Sequence, residues 1–184
     1  AGGTKVGCGH NGVLWVEEDV EGKSAHASSH KNGINAFESM VAVVNGLQEY
    51  KDSLEAGTKI YTDFDGATRN PSMTIGGIFS GNEGQKINTV PDSARFSIDR
   101  RLVPNEGMKK VETDLLSEIA NVGQALDPAK VRAKTVMSID PCIVDPEALF
   151  CQSFGSVVGS VRRSKVYYGI TSGFTDLHYF VENA

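Results

Sequence analysis

Residues 93–102 carry the strictest pattern in the chain, because apolar and polar side chains alternate there one by one. The apolar positions are Ala94, Phe96, Ile98 and Leu102, and the polar positions between them include Asp99 and Arg101. A period of two is typical of a β-strand that buries one face, so Arg101 points away from the apolar face. The chain must therefore supply a sheet and a second layer to cover it.

Other strand and helix patterns surround this strand in the order βαββαβ. Further strands are predicted over residues 13–20, 72–80 and 131–139. Amphipathic helix spacing starts at Asn35 and again at Asn105, which we expect to cap the second helix just before Glu106. This order predicts an α+β fold, the ferredoxin-like sandwich, in which two helices cover one face of a four-stranded antiparallel sheet.

The ends of the chain follow a different pattern. Residues 1–11 are glycine-rich and are expected to form a loop. After residue 140, Asp145-Pro146 predicts the start of a helix, Val166–Ile170 a short buried strand, and Ser172–Asp176 a turn into a last helix. This αβα segment is too small to build its own core, so we expect it to pack on polypeptide that the chain does not contain.

Charge and composition exclude several classes of partner. The net charge of -5 and the absence of a Lys or Arg run oppose binding to nucleic acid or anionic lipid. No apolar stretch approaches the roughly 20 residues that a membrane helix needs. Three cysteines without a Cys-x-x-Cys pair fit a reducing compartment. We therefore expect a cytoplasmic protein without nucleic acid or membrane as a partner.

Three polar residues are candidates for chemistry. His26 lies among small residues in the loop before the first helix, where it could donate to a developing oxyanion, carry a proton, or simply brace the loop. Arg101 could bind a substrate carboxylate, or it could form an ion pair with Asp99 or Glu17. Asn88 follows a turn, where asparagine usually bonds to its own backbone.

Metal ligands and nucleophiles are scarce in the sequence. There is no His-x-Asp spacing, and no Gly-x-Ser-x-Gly motif marks a nucleophile. We interpret His10 and His30 as surface groups.

Three motifs in order resemble one known family. They are Gly22–Ser28 with Gly33-x-Asn35, then Asn88-x-Val90-Pro91-Asp92 with Asp99–Pro104, and finally Gly173–Asp176. Laid on the βαββαβ pattern, they are similar to the metallopeptidases and deacylases that include acetylornithine deacetylase, succinyl-diaminopimelate desuccinylase, aminoacylase and glutamate carboxypeptidase. The resemblance covers nearly the whole chain.

The resemblance implies a division of the chain and a role for each candidate residue. Residues 12–140 would be a lid that is inserted into a two-zinc (or cobalt) catalytic domain and forms a homodimer. Residues 1–11 and 141–184 would belong to that catalytic domain. His26 would reach into the partner subunit's active site to stabilise the oxyanion, with Asn88 assisting. Arg101 would hold the substrate carboxylate, and the turn with Gly173 and Thr175 would bind substrate at a helix N-terminus.

The same resemblance implies that the parent protein hydrolyses an amide bond in an N-acyl amino acid or small peptide. The family's zinc ligands lie before the lid and in a histidine near the end, and this sequence contains neither segment. We therefore expect this chain to bind no zinc and to be inactive alone. Two positions depart from the family: His30 replaces a proline and Phe174 a small polar residue. The alternative hypothesis is a stand-alone ferredoxin-like module for oligomerisation or small-ligand binding.

Overall fold

A computed structural model describes residues 3–57, 60–81 and 86–182. The strands are β1 (Thr4–His10), β2 (Gly12–Glu21), β3 (Ala25–His26), β4 (Tyr61–Thr62), β5 (Thr68–Arg69), β6 (Ser72–Gly81), β7 (Thr89–Val90), β8 (Ser93–Leu102), β9 (Lys130–Ile139), β10 (Cys142–Ile143) and β11 (Val166–Thr171). The helices are α1 (Ala36–Gly46), α2 (Gln48–Glu55), α3 (Met108–Gln124), α4 (Leu149–Arg162) and α5 (Leu177–Glu182), and a short 3-10 helix spans Ala27–Asn32.

The largest unit is a four-stranded sheet in the order β6–β8–β2–β9, and every neighbouring pair is antiparallel. The register between β2 and β8 sets Trp15 opposite Asp99 and Val13 opposite Arg101. Strand β8 alternates buried and partly exposed residues as its sequence predicts. Arg101 accordingly lies on the face away from the core.

The core of this unit lies between one face of the sheet and helices α1 and α3. The sheet contributes Leu14, Val16, Val20, Phe96, Ile98 and Leu102, and the helices contribute Met40, Val43, Val111, Leu115 and Ile119. Each of these side chains is at most 4% exposed. Burying one side chain of this size contributes about 1.5–3 kcal/mol, so this interface is a main source of stability. The α+β class is confirmed.

A second, smaller sheet joins the two ends of the chain in the order β10–β1–β11. The prediction of a loop over residues 1–11 is wrong, because Thr4–His10 form β1, parallel to β11 and antiparallel to β10. Val6 and Cys8 point into a small core with Cys151 of α4. The glycines beside these residues, Gly7 and Gly9, hid this alternation in the sequence. Gly9 is needed because a Cβ there would overlap the carbonyl oxygen of Cys142.

The second large helix starts later than the sequence predicts. Helix α3 begins at Met108, with Gly107 as N-cap and no side-chain cap. Asn105, predicted as the cap, instead donates from Nδ2 to the carbonyl of Ile60 at 3.3 Å. Glu106 is drawn into the core, where Arg100 Nη2 donates to its carboxylate at 2.7 Å. This buried pairing displaces the expected cap.

The start of α4 also moves. The helix begins at Leu149, and its N-cap Ala148 has no side-chain bond. Asp145 Oδ1 accepts from Glu147 N at 2.9 Å, which makes a turn just before the helix. Aspartate bonds in this way to the backbone two residues ahead, so the acidic residue and the proline mark a turn and not the first helical residue.

Helix α4 packs one side on the small sheet and exposes apolar side chains on the other. The exposed residues are Leu149, Phe150, Phe154, Val157 and Val161. Phe150 and Phe154 stack, with ring centroids 6.1 Å apart. Within the described part of the chain, no helix is both long and apolar enough to cross a membrane.

Two charged residues lie on the core face of the large sheet, which sequence patterning did not predict. Arg100 is fully buried and pairs with Glu106. Glu18 is also fully buried, and neither of its carboxylate oxygens has a hydrogen-bond partner among the residues that the structure describes. Burial raises the pKa of Glu18 to about 8, because a charged carboxylate loses its hydration there.

Candidate functional site

Two very short strands bring His26 and Asn88 together. Strands β3 and β7 pair antiparallel, with His26 opposite Thr89 and Ala25 opposite Val90. The ladder continues one residue further, where Ala27 N donates to the carbonyl of Asn88 at 2.8 Å. Residues from two distant motifs therefore share one small patch of backbone hydrogen bonds.

The ring of His26 is held by its own loop. Nδ1 lies 2.7 Å from Ser28 Oγ and accepts from Ser28 N at 3.2 Å. A backbone N–H can only donate, so Nδ1 is the acceptor and the neutral ring carries its proton on Nε2. Nε2 lies 3.4 Å from the side-chain amide of Asn88, and both residues are exposed. The loop thus presents an oriented N–H donor next to an amide.

Glycines allow this loop to close. Lys23 and Ile34 form a bridge with reciprocal backbone bonds of 2.8 and 2.9 Å. A Cβ on Gly22 would overlap the carbonyl oxygen of Ile34, and one on Gly33 would lie 2.8 Å from that of Lys23. The predicted helix start after the loop is confirmed, because Asn35 Oδ1 accepts from the N–H groups of Phe37 and Glu38.

Arg101 lies on the outer face of the sheet and bonds to a neighbouring residue on the same strand. Its Nη2 donates to Asp99 Oδ2 at 2.6 Å, and the side chains are 25% and 35% exposed. The ion pair considered as an alternative to substrate binding is therefore present. A guanidinium has five N–H donors, so this bond leaves part of the fork available to an anion.

The turn that contains Gly173 and Thr175 lies between β11 and α5. Gly173 N donates to Thr171 Oγ1 at 3.4 Å, and Thr175 Oγ1 accepts from Leu177 N at 3.3 Å. The second bond caps the first turn of α5, so the Thr175 hydroxyl already has a structural role. His178 Nδ1 donates to the carbonyl of Thr175 at 2.7 Å and tightens the turn further.

Phe174 connects this turn to the four-stranded sheet. Its ring meets that of Trp15 edge to face, with centroids 6.3 Å apart. Trp15 lies directly opposite Asp99 in the sheet, so the turn stands close to the Asp99–Arg101 pair. Across the described ranges, no hydrogen bond or ion pair joins this group to His26. The structure therefore brings the candidates together as two groups, and the sequence did not predict the part of Trp15.

His10 is not the surface group that the sequence predicts. It is fully buried, its Nδ1 lies 2.9 Å from the carbonyl of Asn11, and its ring meets that of His178 edge to face at 5.5 Å. The alternation of glycine with larger residues along β1 concealed its buried face. His10 supports the base of the turn through His178.

A metal centre would need several His, Cys, Asp or Glu side chains that converge on one point. Within residues 3–57, 60–81 and 86–182, no three His, Cys, Asp or Glu side chains come together in a way that could hold a metal ion. The described residues therefore do not fit a metal centre.

Several known proteins are similar to this chain in sequence or in structure. An uncharacterized metallohydrolase from Methanococcus maripaludis is 28% identical over 197 residues, which cover 89% of this chain and 45% of that protein. The dipeptidase Dug1p of Saccharomyces cerevisiae has a similar structure, with a TM-score of 0.70, 14% identity, and coverage of 95% of this chain and 46% of that one. A tripeptidase of Staphylococcus aureus has a TM-score of 0.66, 18% identity, and coverage of 98% and 44%.

At these identities the two solved structures show a shared fold alone. The chain spans less than half the length of the relatives it matches. A family model described as peptidase dimerisation domain matches residues 8–126, which is more than half of the chain and includes both His26 and Arg101. The chain belongs to the peptidase dimerisation domain family.

Proposed function

We propose that this chain is the ferredoxin-like lid and dimerisation region of a metal-dependent amide hydrolase, and that His26 serves the active site of a second subunit. The observation that carries the proposal is the His26 ring, whose Nδ1 is occupied by Ser28 while Nε2 faces outward beside Asn88. The family description supports self-association, so the partner is expected to be a second copy of the protein.

The chemistry suited to this arrangement is stabilisation of an oxyanion. When an amide carbonyl is attacked, its oxygen becomes negative, and a preoriented N–H donor stabilises that charge more than it stabilises the neutral carbonyl. The bonds to Ser28 fix the ring before substrate arrives, so little ordering is needed at the moment of reaction. Asn88 Nδ2, 3.4 Å from His26 Nε2, would assist by donating a second hydrogen bond to the same oxyanion.

The outer face of the sheet supplies the proposed substrate contacts. Arg101 would bind the substrate carboxylate with the N–H groups that Asp99 does not use, since a guanidinium fork matches a carboxylate. Gly173 and Thr175 would contact the substrate from the neighbouring turn. The expected substrates are N-acyl amino acids or small peptides, and the names of the two peptidases with this fold support the second group.

The proposal includes two zinc ions, or cobalt, in the full-length parent. Relatives named metallohydrolases support a metal, and the described residues of this chain offer no ligand set for it. The 184-residue chain is accordingly expected to have no hydrolase activity by itself. Its three free cysteines fit the reducing conditions of the cytoplasm.

The test compares His26→Ala with His30→Ala in the full-length parent. Both histidines are exposed and lie on the same loop, but only His26 faces Asn88. Loss of an oxyanion donor is expected to lower kcat about 100- to 1,000-fold for His26→Ala, and His30→Ala should stay close to wild type. Equal turnover in the two variants would remove His26 from the mechanism.

A further inference from the structure

The hairpin of β4 and β5 projects from the lid between α2 and β6. Its strands pair through Tyr61–Arg69 and Thr62–Thr68. Asp63 N donates to the carbonyl of Ala67 at 2.8 Å, and Gly66 provides the positive φ of 81° that the tight turn requires. None of the motifs found in the sequence includes this hairpin.

Asp63 and Arg69 of the hairpin bind one residue of β11. Both Asp63 carboxylate oxygens lie 3.0 Å from Ile170 N, which donates to them. Arg69 donates to Asp63 Oδ2 from Nε at 2.9 Å and from Nη2 at 2.6 Å, and its Nη2 also donates to the carbonyl of Ile170 at 2.8 Å. The pair therefore satisfies both backbone polar groups of a buried residue 101 to 107 positions away.

The surroundings of Asp63 are shaped for this contact. Its side chain is fully buried, and Lys5 of β1 places Nζ 4.0 Å from the carboxylate while donating to the Ile170 carbonyl. A Cβ on Gly169 would lie 2.8 Å from the Lys5 side chain and 3.2 Å from Asp63 Oδ2. The absence of a Cβ at Gly169 leaves room beside β11 for the end of the Lys5 side chain and for the Asp63 carboxylate.

The charge balance favours an ionised carboxylate. Burial acts to raise the pKa of Asp63, but the bonds from Ile170 N–H, Arg69 and Phe64 N–H outweigh it, so the pKa lies below its ordinary value. Two cations, Arg69 and Lys5, face one anion. The contact is thus charged at neutral pH and is released only in acid.

This contact fixes the strand end that precedes the substrate turn. Ile170 lies three positions before Gly173, and on the other side of Gly173 the Phe174 ring packs on Trp15 of the lid. The lid therefore touches this short segment at two points, through the hairpin before the turn and through Trp15 within it.

We infer that Asp63 and Arg69 are positioning residues, which hold the end of β11 and the turn at residues 172–176 in a fixed place relative to the lid. The substrate role of that turn rests on the proposed function. The mechanical coupling does not, because it follows from the hydrogen bonds alone and can be measured on the 184-residue chain.

The test uses Trp15, the only tryptophan of the chain, as a reporter of the lid–turn contact. Asp63→Ala is expected to shift the Trp15 emission to longer wavelength, and Phe174→Leu, which removes the ring that contacts Trp15, should shift it in the same direction. Amide exchange in the peptide containing Ile170 should become at least about tenfold faster, while exchange in β8 stays unchanged. Asp65→Asn is the matched control, because Asp65 is exposed at the tip of the same hairpin and bonds only locally, to Ala67 N.

Graded variants separate positioning from general stability. Asp63→Asn keeps an acceptor for Ile170 N but loses the charge that faces Arg69, so its emission and exchange should lie between wild type and Asp63→Ala. If Asp63→Ala does not fold, Arg69→Met supplies the same comparison. Wild-type emission together with wild-type exchange at Ile170 in the folded variants would overturn the inference.

The full-length parent distinguishes this inference from the proposed function. There, Asp63→Asn is expected to raise KM about tenfold with a smaller change in kcat, because a displaced turn weakens binding before it affects the reacting atoms. If His26→Ala retained turnover, the proposed function would fail while the emission and exchange results stood. If those results matched wild type, the positioning role would fail whatever the turnover of His26→Ala.

Discussion

The side chains of His26 and Asn88, 62 positions apart in the sequence, approach to 3.4 Å at the edge of the lid. The approach results from backbone pairing, since the ladder from β3 and β7 continues to the Ala27–Asn88 bond. Because the backbone fixes both residues, the geometry is present before any substrate or second subunit arrives. Such preorganisation is what an oxyanion donor requires.

Asn88→Ala in the full-length parent is expected to lower kcat about tenfold, which is less than His26→Ala does, because Asn88 assists the donor. The double variant should lose less than the product of the two single effects, since the residues act as one unit. Steady-state kinetics of the four proteins provide the test. Fully multiplicative effects would show that the two side chains act independently.

Glu18→Gln is expected to stabilise the fold at neutral and alkaline pH. The pKa of Glu18 is about 8 in the folded chain and near 4.5 in the unfolded chain, so the folded state binds more protons between these values. The free energy of unfolding therefore falls as pH rises through this window. The total loss, which is reached above pH 8, is at most about 5 kcal/mol. Glutamine cannot ionise and escapes that loss.

Urea unfolding at pH 4 and pH 9 measures the Glu18 effect. The variant and wild type should unfold together at pH 4 and separate at pH 9. Glu17→Gln is the control, because Glu17 lies next to Glu18 on the partly exposed face of β2. Equal unfolding midpoints for Glu18→Gln and wild type at both pH values would contradict the raised pKa.

Arg100→Met and Arg101→Met are expected to differ sharply although the residues are neighbours. Arg100 pairs with Glu106 where both side chains are at most 2% exposed, so its removal leaves a buried charge and costs about 3–5 kcal/mol. The Arg101–Asp99 pair is partly exposed, and its loss should cost at most about 1 kcal/mol. Urea unfolding measures both.

The kinetic effects of the two arginine variants should follow the opposite order, so that Arg101→Met changes substrate binding more than Arg100→Met does. In the full-length parent, Arg101→Met should raise KM for substrates with a free carboxylate, because we propose that its guanidinium binds that group. The same variant should leave KM unchanged for an amidated analogue. An equal KM change for both substrates would argue against a carboxylate contact.

The 184-residue chain is expected to form a dimer. Strands β6 and β9 form the edges of the large sheet, and edge strands offer backbone groups for pairing with another chain. Light scattering should give twice the 19.7 kDa of one chain at micromolar concentration. A monomer at every concentration tested would show that the lid alone does not hold the dimer together.

Much of the fold follows from local patterns. The strands at residues 13–20, 72–80, 93–102 and 131–139 and the first helix after Asn35 form where period and capping predict them. The errors arose where a local signal competed with a distant partner. Asn105 donates to the carbonyl of Ile60, 45 positions away, instead of capping the second helix, and Thr4–His10 form a strand because β11 pairs with them.

The candidate site, like the fold, could be predicted from the sequence only in part. Motifs in the sequence singled out His26, Asn88, Arg101 and the Gly173 turn, and their roles remain predictions. The contribution of Trp15, His178 and Asp63 had no local signal, because each contacts a residue far along the chain, namely Phe174, His10 and Ile170 respectively. Only their three-dimensional neighbours distinguish these residues from ordinary core or surface groups.

The sequence by itself determined which segments are strands and helices and which faces are apolar, since side-chain period and capping act over a few residues. Only the tertiary structure decided that Ser28 orients His26 beside Asn88, that Glu18 is buried without a partner, and that Asp63 holds β11. These outcomes depend on hydrogen-bond geometry and on the loss of hydration at buried sites. Both are set by residues brought together from distant parts of the chain.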